Sequence, residues 1–375
     1  MPKPFEFLLF SDFHAHNFPY GASRTTIPGL GGLYNSRLAD SAAVLDEMLA
    51  YAKHFDIYTV VFCGDLFHRR TAVSTDVRHV IVDRLHKFVD EGIELHMIPG
   101  NHDIGDRKGH VHSLIGLGEF SDEIHVYDKV GAVSPAYSDG HDREAVGFIF
   151  VPYTDSLQEA KANLKAAGGL AEHFDNQILF AHLGMQGAVV GSDYVLINES
   201  DISVPDVPHD KFTACFFGHF HEHQQLFANG WFVGATHQHN WGDAYGSRGY
   251  LHVKAHKGKV TFEQVQTMAP EFVTTRDGKT SRGELSMMKA NDFVKNITKD
   301  KYLDREELRV KWELDNAPEI VIDTEEEDTE FSLDTTQLSP TAVVDKWVES
   351  KLPEGLDKDE VLSVGKNILK EVGIQ

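Results

Sequence analysis

Five short segments of this chain carry side chains that can ligate metals or move protons. They are Asp12-Phe13-His14, Gly64-Asp65-Leu66-Phe67-His68, Gly100-Asn101-His102-Asp103, Ala181-His182 and Gly218-His219-Phe220-His221. Asp, Asn and His are hard-to-borderline oxygen and nitrogen donors, suited to Mn²⁺, Zn²⁺ or Fe²⁺. A carboxylate bridging two such ions about 3.5–4 Å apart clamps the attacking and leaving oxygens of a phosphoryl transfer. Asp65 is the candidate bridge, because it ends the middle of three strand-like runs. Gly100-Asn101-His102-Asp103 offers a metal ligand, a proton donor and a carboxylate to orient that donor's ring. Taken singly, an Asp-x-His or Gly-His-x-His is also what a surface pair, a helix cap or a loop looks like. What distinguishes these five is their common setting at the end of an apolar run.

The elements that would position them follow from periodicity. Glu6 to Phe10 reads as a buried strand ending at Asp12, Ile57 to Cys63 as a second ending at Gly64-Asp65, and Leu95 to Ile98 as a third ending at Gly100. Residues 17 to 40, rich in Gly and Pro, read as a long loop, after which Ser41 could cap a helix with Val44, Met48 and Ala52 on one face. Thr75 to Glu91 has Val77, Ile81, Leu85 and Phe88 at helical spacing and stops at Gly92. This β-α-β-α-β order favours parallel strands with ligands at their C-terminal edges. Further strands are expected at Ile124 to Tyr127, Val146 to Val151, Ile178 to Ala181, Phe212 to Phe217, Tyr250 to Lys254 and Val260 to Gln266, with a helix at Leu157 to Leu170. Leu226 to Val233 should turn at Asn229-Gly230 as a hairpin.

Beyond Pro270 the composition changes. Arg309 to Leu314 alternates like a half-buried strand of a small α+β unit. Asp323 to Glu330 carries six acids in eight residues and reads as a solvated linker. Ser339-Pro340 can start one short helix and Asp357 another, with Val361, Ile368 and Val372 as its stripe. Such helices are marginal alone and need a surface to pack on.

The chain has 375 residues, with 35 basic and 58 acidic side chains and a formal net charge of −23. That charge argues against tight nucleic-acid binding unaided, since phosphate contacts call for a basic surface. No apolar run has the length of a membrane span, and Phe5 to Phe10 is too short for a signal-peptide core. Cys63 and Cys215 both sit in apolar runs and are expected as free buried thiols, consistent with a cytoplasmic protein, host or phage encoded.

The ordered signature D-x-H, G-D, G-N-H-D, H, G-H-x-H resembles that of the calcineurin-like metallophosphoesterases, over roughly residues 6 to 255. The resemblance implies an α/β (α+β) fold, a four-layered α/β/β/α sandwich. It also implies two divalent metal ions, Mn²⁺ foremost. Asp12, His14, Asp65 and His221 would hold one ion, and Asp65, Asn101, His182 and His219 the other. His102 would protonate the leaving oxygen or steady the phosphate, with Asp103 orienting its ring.

A narrower resemblance is to the SbcD-type (Mre-eleven-like) repair nucleases. It rests on Gly64 to His68, on Phe232-Val233-Gly234-Ala235-Thr236, and on Trp241-Gly242-Asp243 with Arg248-Gly249-Tyr250. It implies a catalytic role for His68 in orienting DNA phosphates; capping the following helix is its plainer role. It also implies a nuclease domain at 1–267, a capping domain at 268–325, an acidic linker at 326–338 and a helical docking tail at 339–375. The partners implied are DNA, an SbcC-type coiled-coil ATPase and a second copy of the chain. The activity implied is 3′-to-5′ exonuclease, and endonuclease with the ATPase, in DNA end repair, recombination or replication. Two departures stand out: Ala15-His16-Asn17 replaces the usual Leu-Gly after D-x-H, and Ala235 replaces a serine. Three more histidines, His16, His223 and His237, are expected behind the ligands or at the surface. Other readings of the same residues are a phosphoesterase for small or cyclic phosphoesters and a non-catalytic scaffold bridging DNA ends.

Overall fold

The structure is a computed structural model and describes residues 2–105, 111–135, 144–171, 176–190, 194–195, 202–244, 246–276, 292–298, 320–324, 345, 348 and 357–371. Its first sheet is built from β1 (Phe5–Phe10), β2 (Thr59–Phe62), β3 (Glu94–Met97) and β4 (Ile124–Val126). These four run parallel, in the order read from the sequence. The crossovers between the first three are the helices α1 (Ser36–His54) and α2 (Thr75–Asp90). The helix α1 starts six residues earlier than a cap at Ser41 would place it. Asn35 caps it, its Oδ1 accepting from the Arg37 and Leu38 amides at 2.8 and 3.4 Å. Ser41 lies inside the helix and donates back to the Arg37 carbonyl.

The second sheet contains β5 (Gly131–Val133), β6 (Gly147–Val151), β7 (Gln177–His182), β8 (Ala214–Gly218), β9 (Gln224–Phe227) and β10 (Gly230–Phe232). Its order is β9-β10-β8-β7-β6-β5, with the four inner strands parallel. The strands β9 and β10 form the expected hairpin. A last pair, β11 (Gly249–His256) and β12 (Lys259–Gln266), completes the first sheet as β12-β11-β1-β2-β3-β4, antiparallel to β1.

Alternation along each strand sends its apolar side chains to both faces. Leu8, Phe10, Val60 and Phe62 pack with the stripes of α1 and α2 on the outside of the first sheet. Phe5, Phe7, Leu9, Val61, Phe148, Phe150, Phe180 and Phe216 fill the space between the two sheets. Leu179, Cys215 and Phe217 pack outward against α3 (Leu157–Ala171). The result is an α/β/β/α sandwich, as expected. Its central layer is aromatic: each fully buried Phe contributes about 1.5–3 kcal/mol, and the rings meet edge-on, as Phe7 and Phe148 do at 5.0 Å between centroids. Cys63 and Cys215 are free and buried.

Past the sandwich, β13 (Phe272–Arg276), β14 (Phe293–Thr298) and β15 (Ile320–Thr324) form a separate three-stranded parallel sheet. None of these was anticipated as a strand, and β15 takes in Asp323, the first residue of the expected linker. The strand expected at Arg309 to Leu314 and the helix expected after Ser339-Pro340 lie outside the described residues, Asp345 and Val348 apart. A final helix, α4 (Lys358–Glu371), forms where Asp357 was read as a start. Among the described residues no helix is long and apolar enough to cross a membrane.

Candidate metal centre

Because β1, β2 and β3 are parallel in one sheet and β7 and β8 in the other, their C-terminal ends lie along one edge of the sandwich. All five sequence segments meet there. The chain must turn sharply at each strand end. Asp12, His14, Asp65 and His219 all have positive φ, 49°, 48°, 65° and 113°, which non-glycine residues adopt only at a cost. Only two other described non-glycine residues share that conformation. Gly218 shows how close the packing is: a Cβ there would lie 2.2 Å from the Cys63 carbonyl oxygen and 2.7 Å from His182 Nδ1.

Asp65, on the middle strand of the three, faces both halves of the site. Its Oδ2 is 3.7 Å from His14 Nε2 and 3.6 Å from His182 Nε2, and its Oδ1 accepts from the His102 amide at 2.7 Å. On one side, His14 Nε2 and His221 Nε2 approach to 3.1 Å, with Asp12 close enough that one ion could touch all three. On the other, His182 Nε2 and His219 Nδ1 lie 2.9 and 2.8 Å from Asn101 Oδ1. The seven side chains Asp12, His14, Asp65, Asn101, His182, His219 and His221 are thus brought together.

Burial sets their electrostatics. Asp12 is fully buried, which pushes its pKa up to about 6 against the opposing pull of His221, and its carboxylate accepts from the His219 amide at 3.1 Å. Burial, then the neighbouring Asp12 and Asp103 charges, push Asp65 well above the carboxylate range. Burial holds His14 and His182 well below the usual histidine value and His219 down to about 4. His221 is the exception. Burial alone would depress it, but the Asp243 carboxylate, 2.8 Å from Nδ1, raises it overall.

The donor set fits divalent cations. His182 donates Nδ1–H to the Cys63 carbonyl at 2.7 Å, so in its neutral form Nε2 is a bare lone pair. That lone pair faces the oxygens of Asn101 and Asp65, an arrangement of acceptors that a cation between them satisfies. His14 Nδ1 is buried without a hydrogen-bond partner. Two carboxylates held in an apolar setting are likewise returned to their charged form by a positive ion.

His102 and His68 stand beside this cluster, their rings stacked at 5.5 Å and 23°. The expected arrangement of His102 needs correction. Its Nδ1 donates to the His68 backbone carbonyl at 2.7 Å, so that carbonyl orients the ring. Asp103 instead accepts from the backbone amides of Asp65, Leu66, Phe67 and Gly100, at 2.8–3.3 Å, and from the Ser113 hydroxyl at 2.7 Å. A carboxylate turned toward that many donors ties the Asp65 loop to the Asn101 loop and does not reach the imidazole. His68 is pushed down to about 4, chiefly by burial and then by His102.

Two residues missed in the sequence complete the centre. Asp243 backs His221 and also accepts from the His239 amide at 2.9 Å. His239 donates from Nε2 to the Asp12 carbonyl at 3.0 Å and meets the His14 and His221 rings edge-on. The only signal for either was their place in the stretch from Gly234 to Tyr250. Of the three histidines set aside, His16 stacks on His68. His223 donates to the Val233 carbonyl, and His237 is buried against Ser41 and Thr236.

The family profile described as calcineurin-like phosphoesterase matches residues 5–223, a span holding all seven side chains. Among solved structures, a dimetal phosphatase from Danio rerio is similar with 13% identity and a TM-score of 0.41, over 70% of this chain and 99% of that one. The nuclease MPE of Pseudomonas putida is similar over 40% of this chain and 54% of its own, with 16% identity and a TM-score of 0.19. None of the curated proteins compared matches the chain.

Proposed function

The chain belongs to the calcineurin-like phosphoesterase family, and on that premise we propose that it is a metal-dependent DNA nuclease of the SbcD type. Asp12, His14, Asp65 and His221 would hold one divalent ion and Asp65, Asn101, His182 and His219 the other, a mixed oxygen and imidazole set that suits Mn²⁺, Zn²⁺ or Fe²⁺; Mn²⁺ is the ion the family resemblance implies. Bound there, the ions supply a water acidic enough to attack at neutral pH and positive charge against the phosphate oxygens. The protein's own groups do the rest. The Cys63 carbonyl and Asp243 fix which ring nitrogens of His182 and His221 face inward. With Nδ1 committed to the His68 carbonyl, His102 exchanges its proton through Nε2 with the leaving oxygen. Burial lowers the His102 pKa and so favours the neutral ring; the negative charge of a bound phosphate would work the other way and favour the protonated, acid form.

The observation that favours a polymeric substrate over a small phosphoester is the ledge beside His102. His68, His16 and Phe18 continue from it as a run of rings with centroids 4.9–5.5 Å apart. Exposed Arg69 and Arg70 follow His68 directly, and their charges are felt by His16, His68, His102 and His219. A cluster of rings flanked by arginine suits a nucleic-acid strand leaving the centre, even on a protein of net charge −23. The remaining affinity is assigned to partners: a second copy, and an SbcC-type ATPase docked on the C-terminal helices. The β13-β14-β15 sheet is assigned to the capping unit.

The test is degradation of linear duplex DNA with Mn²⁺, with and without the ATPase, beside hydrolysis of a small diester and a cyclic nucleotide. Hydrolysis of the small esters without DNA degradation under either condition overturns the nuclease reading. Partner binding that survives deletion of residues 338–375 overturns the docking assignment.

A further inference from the structure

We propose that Glu94, His96 and His125 form a separate site for one divalent transition-metal ion, of the Zn²⁺ class, at the outer edge of the first sheet. Glu94 and His96 alternate with Leu95 and Met97 along β3. Since Leu95 and Met97 face the helices, Glu94 and His96 project from the opposite face. His125 is the ladder partner of His96 on the edge strand β4, and Ile124 and Val126 face the helices as well. All three ligating side chains therefore share one face, with one donor atom from each lying within 4.8 Å of the others.

The second observation is the state of His96 itself. Its ring is 99% buried and rigidly held, parallel to Phe150 at 12° and edge-on to Phe148. Nδ1 lies 2.9 Å from the Tyr127 hydroxyl, whose oxygen can accept the Nδ1 proton. Nε2 is left buried with no hydrogen bond; the Glu94 carboxylate lies 3.5 Å away, and the His125 ring stacks at 4.8 Å. The Glu94 carboxylate pairs with that nitrogen at 3.5 Å, too long for a good hydrogen bond, and a cation between the two would satisfy both. Burial lowers the His96 pKa despite the opposing pull of Glu94, which keeps its lone pair available. Two imidazoles and one carboxylate, with the fourth position left to water, is a zinc-type donor set and a poor one for Mg²⁺ or Ca²⁺. Glu94 is about one-third exposed, so an ion can enter from solvent. His96 precedes Asn101 by five residues, a span of at most about 18 Å. An ion here would pin the short edge strand β4 to β3.

The test uses the full chain, stripped with chelator, reloaded with Zn²⁺, dialysed and counted by plasma mass spectrometry, with Co²⁺ absorption as a second readout. His125→Ala and Glu94→Gln should each retain one ion fewer than wild type. Their circular dichroism should be unchanged and their phosphodiester turnover within about twofold, as expected for distant sites. Asp65→Asn, which disables the phosphoesterase centre, should keep the ion that His125→Ala removes. Equal ion counts in wild type and both edge variants overturn the proposal, whatever the catalytic centre holds.

Discussion

The two halves of the candidate centre hold their inward-facing histidines by different means. His182 is backed by a neutral backbone carbonyl and sits well below the usual histidine pKa. His221 is backed by the Asp243 carboxylate and sits above it. The carbonyl fixes the tautomer but raises the ring by less than burial and His219 lower it, whereas the Asp243 carboxylate fixes the tautomer and also outweighs burial, making the ring a stronger donor. The half around His14 and His221 should therefore gain affinity through His221, at the cost of stronger competition from protons at that ring, while burial holds its His14 well below the usual value, as it does His182. The half around Asn101 and His182 should exchange its ion more readily.

The largest effect should come from what the halves share. Asp65→Asn should reduce phosphodiester turnover to background and lower metal occupancy in both halves, measured by counting ions after dialysis. Occupancy lost in one half alone would show that Asp65 does not bridge. Next, His102→Ala should lower kcat by about 10²–10⁴-fold while leaving the ion count unchanged; an altered count would place His102 among the ligands. Asp243→Asn acts on one half only. It should weaken that half's metal affinity about 10–100-fold and leave the other's unchanged, read by calorimetric titration as one shifted and one unshifted site. Equal weakening of both would erase the contrast.

The last prediction leaves catalysis aside and concerns the stability held by the buried ring behind that half. His237 is pushed down to about 3, chiefly by burial and then by Arg37. Its unfolded form protonates near 6.5, so as pH falls the unfolded state takes up the proton first. The stability tied to the neutral ring is complete above pH 6.5 and is lost as pH falls toward 3. Urea midpoints should fall over that range. In His237→Gln the decline should be shallower by at most roughly 1.4 kcal/mol per pH unit, and parallel curves would discount the ring.

The sandwich and the convergence at its edge were legible because parallel strands announce themselves as apolar runs, and each run here ends in Gly or a ligand. Asp12, Asp65, Asn101, His182 and His219 could be placed by that rule alone. What orients them could not. A carbonyl such as that of Cys63 or His68 carries no side-chain signature, and whether it points at an imidazole depends on positive-φ turns that appear only in three dimensions. Asp103 was misjudged for the same reason: adjacency to His102 suggested a hydrogen bond, yet its oxygens accept from four amides and Ser113 while His102 Nδ1 donates to the His68 carbonyl. The start of α1 was missed because Asn35 and Ser41 are comparable caps, and only Leu38, buried one turn earlier, decides between them.

The five donors gathered by the Asp103 carboxylate have one more consequence. They weld the loop that carries Asp65 to the loop that carries Asn101 and His102, with Ser113 as a third anchor. The ions' position and the acid's position then share a single mechanical frame, so swapping one metal for another should not detune the distance to His102. Anyone transplanting this centre into another scaffold would have to move both loops and Ser113 as one cassette.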